Sequence, residues 1–465
     1  MGSLSRDENV LKWVVLVVSS LSAFLTPFVV SSVNIALPTI GKEFSLNAVL
    51  LSWVVTSYLI AATIFLVPFG RIADIYGRRK FFAFGILLFS LTSLLGALSY
   101  SAFMLFLSRV LQGIGSAMIF GTGMAILTSV FPLRERGKAI GINVASTYLG
   151  LSLGPFLGGL LTHYFGWRSI FLVIVPVGLI ALTLVLWKVK GEWAEAEGEK
   201  FDLPGSLIYG AAVLIIMYGF SRLPAALGLW LVFAGIVGFT IFVRWEMHVL
   251  NPVLDIRLFK NNVTFTFSNL AALINYSATY AVGFILSLYL QYIKGLNADH
   301  AGIIMVAQPV MQFLFSPLAG WLSDRVEPRL VASLGMTLTA IGLLMLVTLN
   351  PATSLGFIVT CLLLLGLGFA LFSSPNTNAV MSSVEKKFYG VASGTLSTMR
   401  LVGQMLSMGI LMMILVLFVG RVQIVPKYFP AFLRSAKAAF SVFAFLCFLG
   451  IFASLARGNL RTGEV

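Results

Sequence analysis

A chain of 465 residues that is 59% hydrophobic and 10% charged is not an ordinary water-soluble domain, because such domains carry about a quarter charged residues. The net charge of +14 invites a nucleic-acid reading, but the basic residues are scattered through short segments between apolar runs, which excludes a binding stripe. Catalysis is equally unsupported: the sequence has no phosphate-cradling Gly-Lys-Ser/Thr loop, no metal-ligand spacing and no nucleophile–base pair, and Cys361 and Cys447 lie in separate apolar runs.

Apolar stretches of about twenty residues, the length that spans hydrocarbon, recur from Trp13 to Ala456. A chain in lipid must satisfy its own backbone, so these stretches are expected to be helices. The alternating pattern of a membrane barrel is missing. The predicted helices cover 13–38, 49–69, 81–99, 102–128, 138–162, 169–188, 203–220 and 227–244, then 263–292, 300–321, 330–349, 354–380, 389–420 and 438–456. The first is expected to be a membrane helix and not a cleaved leader, being too long and lacking a small-residue cleavage site.

Charge placement gives the topology. With both termini in the cytoplasm, the inner connections hold Arg78-Arg79-Lys80, Arg134–Lys138, Arg257–Lys260 and Lys386-Lys387, as the positive-inside rule requires. Arg421, Lys427, Arg434 and Lys437 fall on the outer side and fit it least. Gly191–Phe201, with Glu192, Glu195, Glu197 and Glu199, reads as a solvated connector. An internal echo divides the chain: Gly70-Arg-Ile-Ala-Asp74 and Gly320-Trp-Leu-Ser-Asp324 each end an apolar run containing a proline, Pro68 and Pro317. Repeats of this kind place a transport site between two bundles. The expected organisation is an N-terminal six-helix bundle over 1–190, connectors and two inserted helices over 191–260, and a C-terminal six-helix bundle over 261–465.

Three segments carry the functional signal. Gly70-Arg-Ile-Ala-Asp74-Ile-Tyr-Gly77-Arg78-Arg79-Lys80 joins the second and third helices, with glycines for a tight turn and Asp74 able to pair with Arg78 or with the loop Arg134–Lys138. It is either a latch between bundles or a fixed turn. Arg109-Val-Leu-Gln112-Gly113-Ile-Gly115 places a cation within the fourth helix, and Gly150-Leu-Ser-Leu-Gly154-Pro155-Phe-Leu-Gly158-Gly159 lies in the fifth. In this order these segments resemble the signature loop, the fourth-helix motif and the antiporter motif of the major facilitator superfamily. Asn34-Ile-Ala-Leu-Pro38, Pro252-Val-Leu-Asp255-Ile-Arg257-Leu-Phe259 and Gly390-Val-Ala-Ser-Gly394 further resemble its fourteen-helix drug:proton antiporter branch. The resemblance covers essentially the whole chain. It implies an all-α major facilitator fold, alternating access by two six-helix bundles, and export as the usual direction.

The residues themselves add detail. Gly150, Gly154 and Gly158 share one helical face at four-residue spacing, which permits close helix approach, and Pro155 favours a bend. That seam is either small-residue packing or part of an outward gate. An intramembrane cation such as Arg109 is expected to face a cavity or a partner, with Gln112 on its face. In the resembling family a carboxylate of the first helix often serves such an arginine, but here Val29 occupies that position. All 17 acidic residues fall in predicted loops or at helix ends, as do His163, His248 and His300. Arg400, Gln404, Asn376 and Asn378, together with Asn34, Gln112, Asn143, Asn275, Gln308 and Gln312, could line a polar, net-positive cavity, or the arginines could serve structure alone. Trp53, Tyr58, Tyr148, Tyr276, Tyr280 and Tyr289 read first as interfacial anchors.

These features lead to a multi-pass protein of the plasma (inner) membrane with both termini cytoplasmic. It is expected to export small amphipathic compounds as a monomer, driven by protons or another coupled ion, with neither cofactor nor metal and no nucleic-acid partner. An exporter of an organic anion or zwitterionic lipid-like metabolite working through Arg109 and Arg400 is the alternative, and a non-transporting receptor is a third reading. The pathway residues are Arg109, Gln112, Asn34, Arg400, Asn376, Asn378 and Gln404. The conformational ones are Gly70, Asp74, Gly77, Arg78, Gly150, Gly154, Pro155, Gly158 and Asp324.

Overall fold

The computed structural model describes residues 6–260, 262–385 and 389–458. Among them no strand occurs, and 14 helices are long and apolar enough to cross a membrane. The first bundle comprises α1 (Arg6–Glu43), α2 (Ala48–Tyr76), α3 (Arg78–Ala97), α4 (Ala102–Val130), α5 (Leu133–Phe165) and α6 (Arg168–Lys188). A hairpin follows, α7 (Leu203–Arg222) and α8 (Ala226–Glu246), and then a single turn, α9 (Arg257–Lys260). The second bundle comprises α10 (Val263–Leu288), α11 (Ala298–Met305), α12 (Ala307–Arg325), α13 (Pro328–Val347), α14 (Leu355–Ser382), α15 (Tyr389–Phe418) and α16 (Phe429–Ala456). One predicted span, 300–321, is divided at Val306 into α11 and α12.

Local chemistry sets several helix starts. The side chains of Asn47, Ser101, Asp202, Asn262 and Ser354 each accept from a backbone N–H three residues on, capping α2, α4, α7, α10 and α14. The outer surface carries exposed Trp187, Trp230, Phe233 and Phe445, an apolar coat that suits acyl chains and not water. Helix ends depart from expectation where a helix outruns the apolar run. α1 extends to Arg6 and Glu43, and α5 starts at Leu133. α16 starts at Phe429, so Arg434 and Lys437 lie in its first turns and not in a loop. Arg421 donates to the Ser221 carbonyl at 2.8 Å, which binds the loop before α16 to the hairpin.

Two prolines leave carbonyls for other helices to satisfy. Pro155 has no N–H for the Leu151 carbonyl one turn earlier, and Ser31 Oγ of α1 donates to it at 3.1 Å. Pro38 likewise frees the Asn34 carbonyl, which Ser287 Oγ of α10 meets at 2.5 Å.

The end of the molecule carrying Asp74, Arg78 and Arg325 is the basic face, and the end carrying Glu43, Phe165 and Ala298 is the opposite face. α1 meets α10, α5 meets α11 and α12, and α2 meets α15, while the hairpin packs on α2 and α15. Cross-bundle hydrogen bonds concentrate toward the opposite face: Ser287 to Asn34, Gln291 Nε2 to the Ile35 carbonyl at 2.8 Å, and Ala48 N–H to the Val422 carbonyl at 2.9 Å. Toward the basic face, one hydroxyl pair, Tyr148 and Ser373 at 3.0 Å, bridges the bundles among the described residues.

Candidate functional site

The glycine segment of α5 serves two surfaces. A Cβ on Gly150 would collide with the Phe24 carbonyl, and one on Gly154 or Gly158 would lie 2.6 Å from the Cβ of Ser31 or Ser32. All three therefore pack α5 on α1, inside one bundle. Pro155 and Gly159 face the other bundle, where Gly302 of α11 rests on the Pro155 carbonyl and Gly159 on the Ala298 carbonyl. The seam that joins the bundles is thus built from the proline and the final glycine, backbone against backbone.

The loop between α2 and α3 is held by the connector that follows α6. Gly77 has φ +116, and a Cβ there would stand 2.5 Å from the Glu192 side chain, so only glycine fits. Arg78 Nε donates to Asp74 Oδ1 at 2.6 Å, its Nη1 and Nη2 donate to Glu195 at 2.7 and 2.9 Å, and Nη1 also reaches Ser129 Oγ at 3.1 Å. The Ala196 N–H binds the Asp74 carbonyl, and the Arg79 N–H donates to Glu192. Arg71 pairs with Glu199. Glu195 is held below the ordinary carboxylate range, chiefly by its hydrogen bonds from Arg78. Gly191–Phe201 is therefore docked on the loop and not freely solvated. Its acidic run complements Arg71 and Arg78 and binds the Arg79 backbone. Asp74 takes Arg78 as partner; the side chains of Arg134 and Lys138 lie outside the described residues. Gly70 faces Gly121 of α4. In the echoing segment, Asn378 Nδ2 donates to Asp324 Oδ1 at 3.2 Å and to Ser323 Oγ at 3.1 Å.

Arg109 is wholly buried. Its Nε donates to the Val54 carbonyl at 3.1 Å, Nη1 donates to Gln112 Oε1, and the guanidinium lies over the Tyr58 ring at 4.5 Å. Gln112 Nε2 donates in turn to Ser93 Oγ at 2.8 Å, and Tyr58 Oη shares a hydrogen bond with Ser116 Oγ at 2.6 Å. Glycines make this approach possible: Gly113 abuts the Tyr58 carbonyl, while Gly115 meets Gly85 and Phe89 of α3. Val29, where the resembling family often has an acid, is fully buried. Arg400 of α15 lies 5.7 Å from the Tyr276 ring centre and donates to Thr377 Oγ1 at 2.9 Å. Neither arginine has a carboxylate partner among the described residues.

Each arginine stands over a tyrosine of its own bundle. Arg109 rests on Tyr58 of its own bundle and lies within electrostatic reach of Tyr280 on α10. Arg400 stands over Tyr276 of its own bundle and within reach of Tyr148 on α5. Several buried polar atoms here lack a protein partner among the described residues: Arg109 Nη2, Arg400 Nε, Tyr280 Oη, Asn34 Oδ1 and both amide atoms of Asn275. Such atoms are rare in native interiors and each calls for a reason. Of the residues that read as interfacial anchors, Tyr58 and Tyr276 are instead buried against the arginines. Their signal was a hydroxyl in the middle of an apolar helix, the same signal that picked out Arg109.

Other expected members of the cavity are engaged elsewhere. Asn376 Nδ2 donates to the Ser268 carbonyl and its Oδ1 accepts from Arg457 Nη1, and Asn378 belongs to the Asp324 cluster, so neither joins Arg400. Gln404 follows Arg400 by one turn of α15 and is half-buried; Asn143 and Gln312 are buried. Arg457 is almost fully buried and ties α16 to α10, α13 and α14 through Ser268, Pro328 and Asn376. Its ring of backbone and hydroxyl acceptors has no signature in the local sequence.

Comparison with known proteins agrees with this architecture. The Major Facilitator Superfamily model matches residues 19–256 and 269–462. The riboflavin transporter RibZ of Clostridioides difficile strain 630 is 29% identical over 440 residues, covering 95% of this chain and 96% of its own. The cephamycin export protein CmcT of Amycolatopsis lactamdurans is 31% identical over 408 residues, covering 85% and 84%. Multidrug resistance protein Stp of Mycobacterium tuberculosis strain CDC 1551 / Oshkosh is 31% identical over 405 residues, covering 85% and 74%. The crystal structure of a bacterial homolog of the human lysosomal transporter Spinster, in an inward-facing and unoccupied conformation, superposes with a TM-score of 0.71 at 16% identity, covering 98% of both chains. Sequence match, helix count and topology converge: this chain is a membrane transporter belonging to the Major Facilitator Superfamily.

Proposed function

We propose that the protein is a secondary active exporter of small amphipathic compounds of the multidrug-efflux kind. The bundles 1–190 and 261–465 rock about a central polar site while the hairpin within 191–260 rides between them. The basic face is cytoplasmic, both termini lie on that side, and the membrane is the plasma membrane. The observation that carries the reading is one arginine over a buried tyrosine in each half, Arg109 on Tyr58 and Arg400 on Tyr276, with Arg109 Nη2 and Arg400 Nε left unpartnered. Buried phenol rings offer stacking surfaces to a flat organic molecule, and the unpartnered donors offer hydrogen bonds to it. The names of CmcT and Stp, an export and a resistance protein, support the direction of transport.

A second reading is favoured by the same site: two arginines and no carboxylate suit an organic anion or an acceptor-rich neutral molecule better than a lipophilic cation. RibZ, a riboflavin transporter, makes the isoalloxazine ring a reasonable probe. Flux of ethidium, riboflavin and an aromatic carboxylate into inverted proteoliposomes, with and without an imposed pH gradient, decides between the readings. Gradient-driven ethidium uptake supports the leading one, and uptake confined to riboflavin or the carboxylate supports the second. Uptake of none, with the protein folded, contradicts both.

A further inference from the structure

The foot of the hairpin holds two buried carboxyl groups that the transport site does not use. Glu246, the last residue of α8, is fully buried, and Asp202, the N-cap of α7, is 6% exposed. Gly205 brings them together: a Cβ there would collide with both Asp202 Oδ2 and Glu246 Oε1, so the two oxygens flank the same Cα. Asp202 is otherwise committed as an acceptor, from the Gly205 N–H at 3.0 Å and from Trp245 Nε1 at 3.0 and 3.1 Å. Glu246 Oε2 accepts from the Leu254 N–H at 3.0 Å. Glu246 Oε1 has no donor; it faces Asp202, which as a carboxylate has nothing to give.

No cation resolves this arrangement among the described residues. Of the charged groups flanking the pair in the chain, Lys200 and Arg244 are exposed, Arg257 donates to the Val249 carbonyl, Asp255 accepts from the Arg257 N–H, and His248 binds the Arg244 carbonyl. Asp202 is the charged group that acts on Glu246. Two facing acceptors with no donor between them are completed by a single proton.

We propose that Asp202 and Glu246 form a proton-binding site, one proton shared between Asp202 Oδ2 and Glu246 Oε1, which holds the connector to the second bundle in place. The Leu254 N–H on Glu246 Oε2 is the tether, and Leu254 begins the run that leads through α9 into α10. Removing the proton leaves two adjacent buried negative charges, whose repulsion drives Glu246 off Gly205 and loosens the tether. The connector is docked while the proton is bound and released when it leaves, so the site gives a chain without a mid-membrane carboxylate a place to register protons.

Infrared difference spectroscopy of the full-length protein in lipid nanodiscs, titrated from acid to alkaline pH, tests the site. The expected result is a protonated-carboxyl carbonyl band at neutral pH that shifts in D2O, bleaches as pH rises, and is lost in Glu246→Gln. The amide of Glu246→Gln can still accept from Leu254 and donate to Asp202, so this variant keeps the fold. Should it fail to fold, Asp202→Asn is read instead, and its band must titrate with a changed midpoint. In parallel, trypsin cleavage after Arg257 rises with pH in the wild type and stays flat in Glu246→Gln. A titrating band unchanged in the variants, no titrating band, or bleaching by sodium but not choline at fixed pH would each overturn the proposal. None of these results bears on the export reading, which rests on flux.

Discussion

The hydroxyl of Ser287 donates at 2.5 Å to the Asn34 carbonyl that Pro38 leaves without an intrahelical partner. The bond crosses from one bundle to the other, so a proline in α1 has created an acceptor for α10. In lipid an unmet carbonyl is costly, and the closed arrangement of the opposite face supplies the donor. Ser287→Ala should therefore weaken closure by about 1–3 kcal/mol, the cost of a buried acceptor left unmet. The reporter is thiol labelling at Ala298→Cys on that face, since Cys361 and Cys447 are both buried. Labelling should quicken several-fold in the Ser287→Ala background; an unchanged rate would show that the bond does not hold the seam.

At Gly302 the backbone of α11 rests on the Pro155 carbonyl with no room for a Cβ. Gly302→Val should prevent closure outright and abolish transport, while membrane insertion and the packing of the first bundle survive. Gly154→Val acts differently. Its Cβ would strike Ser31 inside the first bundle, so it should lower thermal stability, with the loss of overpacking, about 1–3 kcal/mol, before it touches gating. Measuring melting temperature and flux for both variants separates the two surfaces of one helix.

Arg109 holds α2 and α4 together and lies within reach of α10, so its substitutions should divide by geometry. Arg109→Lys cannot reproduce three simultaneous contacts, with Val54, Gln112 and the Tyr58 ring, because an ammonium lacks the planar fork. It should lose most transport, as should Arg109→Ala. Tyr58→Phe keeps the ring beneath the cation and loses the Ser116 hydrogen bond alone, a change of about 1 kcal/mol, and should transport at a reduced but measurable rate. Wild-type flux in Arg109→Lys would assign the arginine to charge alone.

The docked connector gives a pH dependence with a definite sign. Hydrogen bonds from Arg78 hold Glu195 below its ordinary value, so its contribution is present above the ordinary carboxylate range and is lost as pH falls through the depressed folded value. Protease cleavage of Gly191–Phe201 should be slow at neutral pH and rise below the carboxylate range. Glu195→Gln should cleave faster already at neutral pH.

Much of this could be read from the chain because the bilayer leaves so few options. Twenty-residue apolar runs must be helices, and the runs of α3, α6 and α7 end close to where the structure ends them. Arg109 stood out for the same reason, as a cation in an apolar helix. What escaped depends on partners far apart in sequence. Nothing near Glu246 announces that Asp202 will lie against it, and an acid at a helix end looks solvated until the hairpin closes over it. The acidic connector looked like a solvated loop because its partners, Arg71, Arg78 and Arg79, come more than a hundred residues earlier. Asn376 resembled a cavity residue because the buried Arg457 that occupies it lies beyond the last predicted helix.

The central claim is that the two bundles must part at the opposite face for substrate to cross. His163 of α5 and Asp299 of α11 stand 3.9 Å apart there, on different bundles. With both replaced by cysteine, flux in proteoliposomes is measured before oxidation, after oxidation and after reduction. The account predicts that oxidation stops transport and reduction restores it. Undiminished flux with the bridge shown to be formed would contradict it.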